Sequence, residues 1–125
     1  MDVHMKIVQG DCAGVFFRVT NSAAYYVFEV CQDSTYRLWK HQLSNSSEPS
    51  LSTPGATNTV IKAGLNQTNV LAVVAQGSTI TLFINNQRIA SVQGSISTQG
   101  AIELAADSYN HPTDVAYTDL RVWQL

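Results

Sequence analysis

Three consecutive stretches decide the fold: residues 14–20 read GVFFRVT, residues 25–31 read YYVFEVC and residues 35–41 read TYRLWKH. Within each stretch, apolar side chains recur at every second position, which is the period of a β-strand with one buried face. The polar intervals 21–23 and 32–34 are short, and intervals of this length join antiparallel neighbours. The sequence therefore predicts a three-stranded antiparallel meander.

The alternation also predicts the pairing of these strands. We set Val15 beside Val30 in the first hairpin and Glu29 opposite Arg37 in the second, which keeps one apolar row on one face. In this register Cys12 lies one diagonal step from Cys31, near the outer limit for a disulfide. The register leaves both states of the two cysteines open, a disulfide and two thiols.

The rest of the chain has the same character, with turn residues at short intervals and no helical period. Asn85-Asn86 is predicted to form a two-residue turn that tolerates positive φ. The segment Leu43–Asn58 is rich in Ser, Pro and Gly and is predicted to be a long loop. About ten strands in total predict an all-β, two-sheet antiparallel sandwich. The remaining predicted strands are Val3–Val8, Thr59–Lys62, Val70–Ala75, Thr79–Ile84, Gln87–Ala90, Ala101–Ala106 and Val115–Gln124.

Composition excludes several classes of function. The 125 residues are one domain's worth, and seven Lys and Arg against nine Asp and Glu give a net charge of −2. This balance argues against nucleic-acid binding, which needs a basic face. No apolar run approaches the roughly 20 residues of a membrane span, so we expect no membrane insertion. Polarity comes from 12 Ser, 11 Thr, 9 Gln and 8 Asn, a composition typical of extracellular all-β domains.

The meander resembles a known family. Residues 14–19, 25–30 and 36–40 resemble the GLVFRV, YYLFEI and YRLWR segments of bacterial LamG-like jelly-roll domains. Residues 69–87, NVLAVVAQGSTITLFINNQ, are similar to their N-x-L-x-V-V-A-x-G-x-x-L-x-F-Y-V-N-G hairpin pair, and residues 115–122 to their closing V-x-F-D-N-F-x-V. The resemblance covers essentially the whole chain and implies a concanavalin A-like jelly roll of the lectin and glucanase superfamily.

Several expectations follow from the resemblance. Such domains are appended to bacterial surface proteins, secreted glycan-active enzymes and the ectodomains of Ser/Thr kinases, which implies an extracellular or cell-surface location. Similar domains open with further strands before the stretch that matches Val3–Val8. Residues 1–125 are therefore expected to be a single domain from a larger protein, with an unpaired sheet edge. Because unpaired edges attract other chains, we expect a homodimer through Val3–Val8 or Val115–Trp123.

A candidate ligand site lies on the face of the meander opposite the apolar row. Sugar binding needs aromatic platforms and planar polar groups, and both kinds of side chain lie here. Glu29 is expected to contact Arg37 and Arg18, which would hold the pKa of its carboxyl low. The last long loop could extend the site. The candidate ligand-binding residues are Arg18, Tyr25, Glu29, Arg37, Trp39, Tyr109 and Asn110.

Catalysis and metal binding have weaker support. The glycanases of this superfamily carry Glu-x-Asp-x-x-Glu, and none of Glu29, Glu48 and Glu103 lies in that motif. The three histidines form no triad or metal signature, and no cofactor is expected. Asp107 and Asp114 bracket a loop of oxygen donors and are the one weak calcium candidate.

The sequence leaves three functions open. The preferred one is a non-catalytic carbohydrate-binding or ligand-sensing module. The second is a structural domain that self-associates without a small-molecule ligand. The third is a glycoside hydrolase-like enzyme, which the shortage of carboxylates disfavours.

Overall fold

The computed structural model describes residues 1–20, 24–42, 56–94 and 99–124. These residues form ten β-strands and no helix. The described residues therefore contain no helix that could cross a membrane. The strands are β1 (Asp2–Gln9), β2 (Cys12–Thr20), β3 (Ala24–Cys31), β4 (Thr35–Gln42), β5 (Ala56–Thr57), β6 (Thr68–Gln76), β7 (Thr79–Ile84), β8 (Gln87–Gln93), β9 (Ala101–Asp107) and β10 (Asp114–Arg121).

The strands build two five-stranded antiparallel sheets. Sheet I has the order β10-β1-β6-β7-β8, and sheet II has the order β5-β4-β3-β2-β9. Alternate side chains of both sheets meet in one core, where Phe28, Leu38 and Leu82 are fully buried. Burying each such side chain stabilises the fold by roughly 1.5–3 kcal/mol. The predicted all-β jelly-roll sandwich is confirmed.

Most predicted strands and turns are present. Asn85 and Asn86 adopt positive φ of 51° and 67° in the β7–β8 turn, as predicted. The prediction was wrong for Thr59–Lys62, which turns instead of pairing because Asn58 accepts the backbone N–H groups of Val60 and Ile61. Strand β10 also ends at Arg121, three residues earlier than predicted. The predicted loop Leu43–Asn58 falls outside the described residues up to position 55.

The β3–β4 register is the predicted one, but the β2–β3 register is not. Val15 pairs with Phe28 instead of Val30, a displacement of two residues that keeps the side chains of β2 before Arg18 on their predicted faces. A β-bulge, in which Arg18 and Val19 together face the single residue Tyr25, accounts for one residue of this displacement. The pairing of Thr20 with Ala24 instead of Tyr25 accounts for the other. The same extra residue disturbs the pairing of β2 with β9.

The expectation that Val3–Val8 forms an unpaired sheet edge was wrong. Strand β1 lies inside sheet I, where it pairs with β10 on one side and β6 on the other. The two sheets still have edges, and β10 forms one edge of sheet I while β9 forms one edge of sheet II. Any edge pairing must therefore use strands such as β10 and not Val3–Val8.

A candidate ligand-binding site on the outer face of sheet II

On the outer face of sheet II, which points away from the core, paired residues of neighbouring strands form rows across the sheet. One row across the strands runs Gly14, Glu29, Arg37, and the next runs Phe16, Val27, Trp39. Because successive side chains of a strand point to opposite faces, these residues share one surface. Glu29 and Val27 are nevertheless almost fully buried. The outer face is therefore covered at this place.

Glu29 is buried because three side chains surround its carboxyl group. The Tyr109 hydroxyl donates a hydrogen bond to Glu29 Oε2 at 2.9 Å, and Arg37 Nε lies 3.4 Å from the same oxygen. On the opposite side, the Asp107 carboxylate lies over Gly14 so closely that a Cβ there would be 2.4 Å from Asp107 Oδ2. Glycine at position 14 thus makes room for two neighbouring acids.

The electrostatics of Glu29 differ from the prediction. Burial raises the pKa of this carboxyl to about 7, with a further upward contribution from Asp107 that outweighs the charge of Arg37. Burial also raises the pKa of Asp107. Glu29 Oε1 and Asp107 Oδ2 are buried and accept no hydrogen bond from the described residues. We expect these neighbouring carboxyls to hold one proton between them near neutral pH, as close carboxyl pairs do.

The loop after β9 covers this pair, and Asp11 fixes that loop. Asp11 Oδ2 accepts the backbone N–H groups of Tyr109, Asn110 and His111 at 2.7, 2.8 and 3.0 Å. His111 Nδ1 lies 3.0 Å from Asp11 Oδ1. These hydrogen bonds, that from the His111 side chain first, hold the pKa of Asp11 well below its usual range. The position of Tyr109 is consequently set before any ligand arrives.

Beside this loop, the surface has a depression of about 320 Å³. The Arg37 guanidinium carbon lies 5.5 Å from the ring centroid of Trp39 and 5.2 Å from that of Tyr109, so the cation contacts both rings. Tyr109 is 52 % exposed although its hydroxyl is bound. The depression is lined by Asp11, Cys12, Cys31, Gln32, Asp33, Thr35, Arg37, Tyr109 and Asn110.

Cys12 and Cys31 form a disulfide in this depression. The sequence left the state of the cysteines open because its register set them on a diagonal. In the observed register, Cys12 pairs directly with Cys31 across β2 and β3. The bridge therefore joins the first two strands of the meander at the end where the covering loop lies.

Three of the seven predicted ligand-binding residues line the depression: Arg37, Tyr109 and Asn110. Two more adjoin it, since Trp39 contacts Arg37 and the buried Glu29 bonds to Tyr109. Tyr25 lies further along the same face, where its ring stacks between Phe16 at 5.2 Å and His41 at 4.9 Å.

Arg18 does not join the site, and its predicted contact with Glu29 was wrong. The bulge reverses the direction of its side chain, which bonds to Gly77 in sheet I. Asp11 and the role of Asp107 beside Glu29 were missed. The position of Asp11, between Gly10 and a paired cysteine, gave no signal of a partner about 100 residues away.

The weak calcium candidate is not assembled as a ligand cluster. Asp107 lies beside Glu29, whereas Asp114 is exposed and pairs with Gln9 at the start of β10. Within the described ranges, the one group of three potential metal ligands comprises Cys12, Glu29 and Cys31. Both cysteines of this group are in the disulfide and offer no thiolate.

These features define a jelly-roll sandwich with a preorganised aromatic and polar depression on one sheet. No family model and no curated protein matches the chain. Among solved structures, the chain is similar to the carbohydrate-binding module CBM66 from Bacillus subtilis, with a TM-score of 0.68, 15 % identity, and coverage of 94 % of this chain and 70 % of that one. It is also similar to sheep galectin-11 in complex with glycerol, with a TM-score of 0.68, 12 % identity, and coverage of 94 % and 84 %.

Proposed function

We propose that this protein is a non-catalytic carbohydrate-binding module and that the depression on the outer face of sheet II holds the sugar. The observation that carries the proposal is the preorganised group of Tyr109, Arg37 and Trp39 on a fold shared with a carbohydrate-binding module and a galectin. The resemblance to LamG-like domains points the same way. A structural domain without a ligand would have no need of a fixed, exposed aromatic loop.

The side chains of the depression match the surface of a sugar ring. Exposed aromatic rings such as Tyr109 pack against the apolar C–H face of a pyranose or furanose. Hydroxyl groups around the ring both donate and accept, and the depression offers the Asp33 carboxylate, the Asn110 amide and the Arg37 guanidinium to them. Because Asp11 fixes the loop, little conformational entropy is lost on binding.

Tyr109→Ala tests this site. We expect the wild-type protein to bind a subset of sugars on a glycan array, and Tyr109→Ala to weaken binding of the best ligand at least tenfold by isothermal titration calorimetry. Removing the ring deletes the stacking surface and uncovers Glu29.

Arg88→Ala is a control for Arg37→Ala, since Arg88 is an exposed arginine on β8 of the other sheet. Loss of binding in Arg37→Ala but not in Arg88→Ala is expected. Equal affinity of Tyr109→Ala and wild type would refute the location of the site, and an empty array would refute the function.

The buried carboxyl pair supports a binding role over a catalytic one. Hydrolysis of a glycosidic bond needs two carboxyls that reach the substrate, whereas Glu29 is fully buried beneath Tyr109 and Arg37. Release of reducing sugar from a bound polysaccharide, lost in Glu29→Gln, would overturn this assignment.

The proposed location is extracellular or on a bacterial cell surface. The Cys12–Cys31 disulfide supports it, since such bonds persist in oxidising compartments and are rare in the cytosol. Protease accessibility of the protein on intact cells tests the location.

A further inference from the structure

A second concave site lies away from the depression, where the bulge of β2 meets the β6–β7 turn. It is a groove of about 460 Å³, which we call the Arg18 groove, and it falls in the size range of small-molecule sites. Its walls come from both sheets and from the segment after β10, and they include Arg18, Gly77, Ile102, Val122 and Trp123.

The bulge creates this groove by redirecting Arg18. Arg18 has φ of 52°. Gly100 packs closely against its backbone, which is possible because glycine has no Cβ; a Cβ there would lie 2.5 Å from the Arg18 carbonyl carbon. In a regular strand, Arg18 would share the outer face with Phe16. Its Nη1 instead donates a hydrogen bond to the carbonyl oxygen of Gly77 at 2.7 Å. This bond anchors the guanidinium in the groove.

The charge of Arg18 is buried without an acidic partner. The side chain is 94 % buried, and no carboxylate among the described residues forms an ion pair with it. Among the described residues that line the groove, none is acidic. Gly77 is its one hydrogen-bonding partner in the described part of the chain, although a guanidinium carries five N–H donors. Burying an unpaired charge is unfavourable in free energy. An anion bound beside Arg18 would therefore stabilise the protein.

Apolar side chains also line the groove, and two of them are accessible to a ligand. Trp123 is 50 % exposed and Val122 is 60 % exposed, while Ile102 is half-buried between them and the core. An indole presents a flat surface to which a six-membered ring can stack. The groove thus combines a fixed cation with a flat apolar wall, and this pairing selects an anion carried on a ring.

We propose that the Arg18 groove binds a carboxylate attached to a six-membered ring, with the carboxylate on Arg18 and the ring against Trp123. The Nε and Nη2 donors, which bond to none of the described residues, form one planar edge of the guanidinium, and this edge matches the two oxygens of a carboxylate. Free aromatic acids and the uronic acids of polysaccharides share this chemistry. The groove is separate from the sugar site proposed above, so either one can fail without the other.

The two tryptophans of the chain allow a direct test, because Trp123 lies in the groove and Trp39 lies on the outer face of sheet II. Benzoate, galacturonate and benzamide are titrated at pH 7.5 into the protein labelled with ¹⁵N, and the indole N–H signals are followed by NMR. The signals are assigned with Trp39→Phe and Trp123→Phe. We expect saturable shifts of the Trp123 signal with at least one acid, no shift with benzamide, and an unmoved Trp39 signal with benzoate, which is not a sugar.

The titrations with the two acids also identify the class of ligand. A response to benzoate alone indicates free aromatic acids, and a response to galacturonate indicates uronic acids. Arg18→Gln, which can keep the bond to Gly77, is expected to weaken acid binding at least tenfold, and Arg88→Gln is expected to leave it unchanged. The proposal is overturned if neither acid moves the Trp123 signal, if benzamide moves it equally, or if Arg18→Gln binds like wild type. The comparison of the two acids with benzamide needs no variant and decides the matter even if Arg18→Gln does not fold.

Discussion

The carboxyl group of Glu29 is fully buried on the outer face of sheet II, where Tyr109 and Arg37 contact it. Its pairing with Arg37 could be predicted, since a period-two pattern fixes which side chains lie opposite each other. Its burial could not be predicted, because the cover comes from Tyr109, 80 residues further along the chain. Arg18 is the reverse case, where one inserted residue in β2 moved the side chain away from its predicted neighbours.

Glu29 also gives a prediction about pH. Burial raises the pKa of Glu29 to about 7 in the folded protein, whereas the unfolded chain loses this proton near the ordinary pKa of 4.5. Between these two pH values the native state binds more protons, so stability falls as the pH rises. We expect urea denaturation at pH 5 and pH 8 to differ by about 2 kcal/mol through this group, allowing for solvent screening.

Glu29→Gln provides the control for this pH effect, because it keeps an acceptor for Tyr109 but carries no charge. We expect the variant to lack this part of the decrease. Parallel stability curves for wild type and Glu29→Gln between pH 5 and 8 would contradict the assignment.

At the scale of the element, the β2–β3 hairpin shows how far alternation can be used. The apolar face of each strand was predicted correctly because a displacement of two residues does not change the face. The exact register was not, since uniform pairing has no place for the extra residue at Arg18–Val19. That same displacement moved Cys12 from a diagonal to a directly opposite position to Cys31.

The disulfide across this hairpin makes the second prediction. It closes a loop between residues 19 positions apart. A loop of this length lowers the entropy of the unfolded chain, and this raises the free energy of unfolding by about 3 kcal/mol. Adding a reductant should lower the free energy of unfolding of the wild-type protein by this amount in guanidinium denaturation. The double variant Cys12→Ala and Cys31→Ala should be less stable and insensitive to reductant. An unchanged wild-type midpoint after complete reduction would argue against a stabilising bridge.

At the scale of the whole molecule, assembly remains a proposal, and we infer a homodimer through the edge strand β10. The expected edge is shorter than the sequence predicted, because Asp119 has φ of 55° and the pairing with β1 shifts between Thr118 and Arg121. A bulge of this kind ends a regular edge. Pairing between two copies would therefore use the segment Asp114–Thr118.

Light scattering at low protein concentration tests the dimer. We expect twice the 13.6 kDa of one chain, and we expect Ala116→Lys to give the single mass, because a lysine on an exposed edge opposes strand addition. If the wild-type protein has the mass of one chain at every concentration, the proposed dimer is wrong. The bulge and charges of β10 would then protect this edge from pairing.

The pairing of β1 with β10 has a consequence for architecture. Asp2 lies directly across from Arg121, and a two-pronged ion pair at 3.0 Å joins their side chains. Residues 2 and 121 thus lie at one corner of the sandwich, about 5 Å apart, the spacing of adjacent strands. A host protein could carry the whole unit as an insertion within a single surface loop, and a short peptide could join the two ends for circular permutation. In either arrangement the outer face of sheet II would remain unobstructed, since that corner belongs to sheet I.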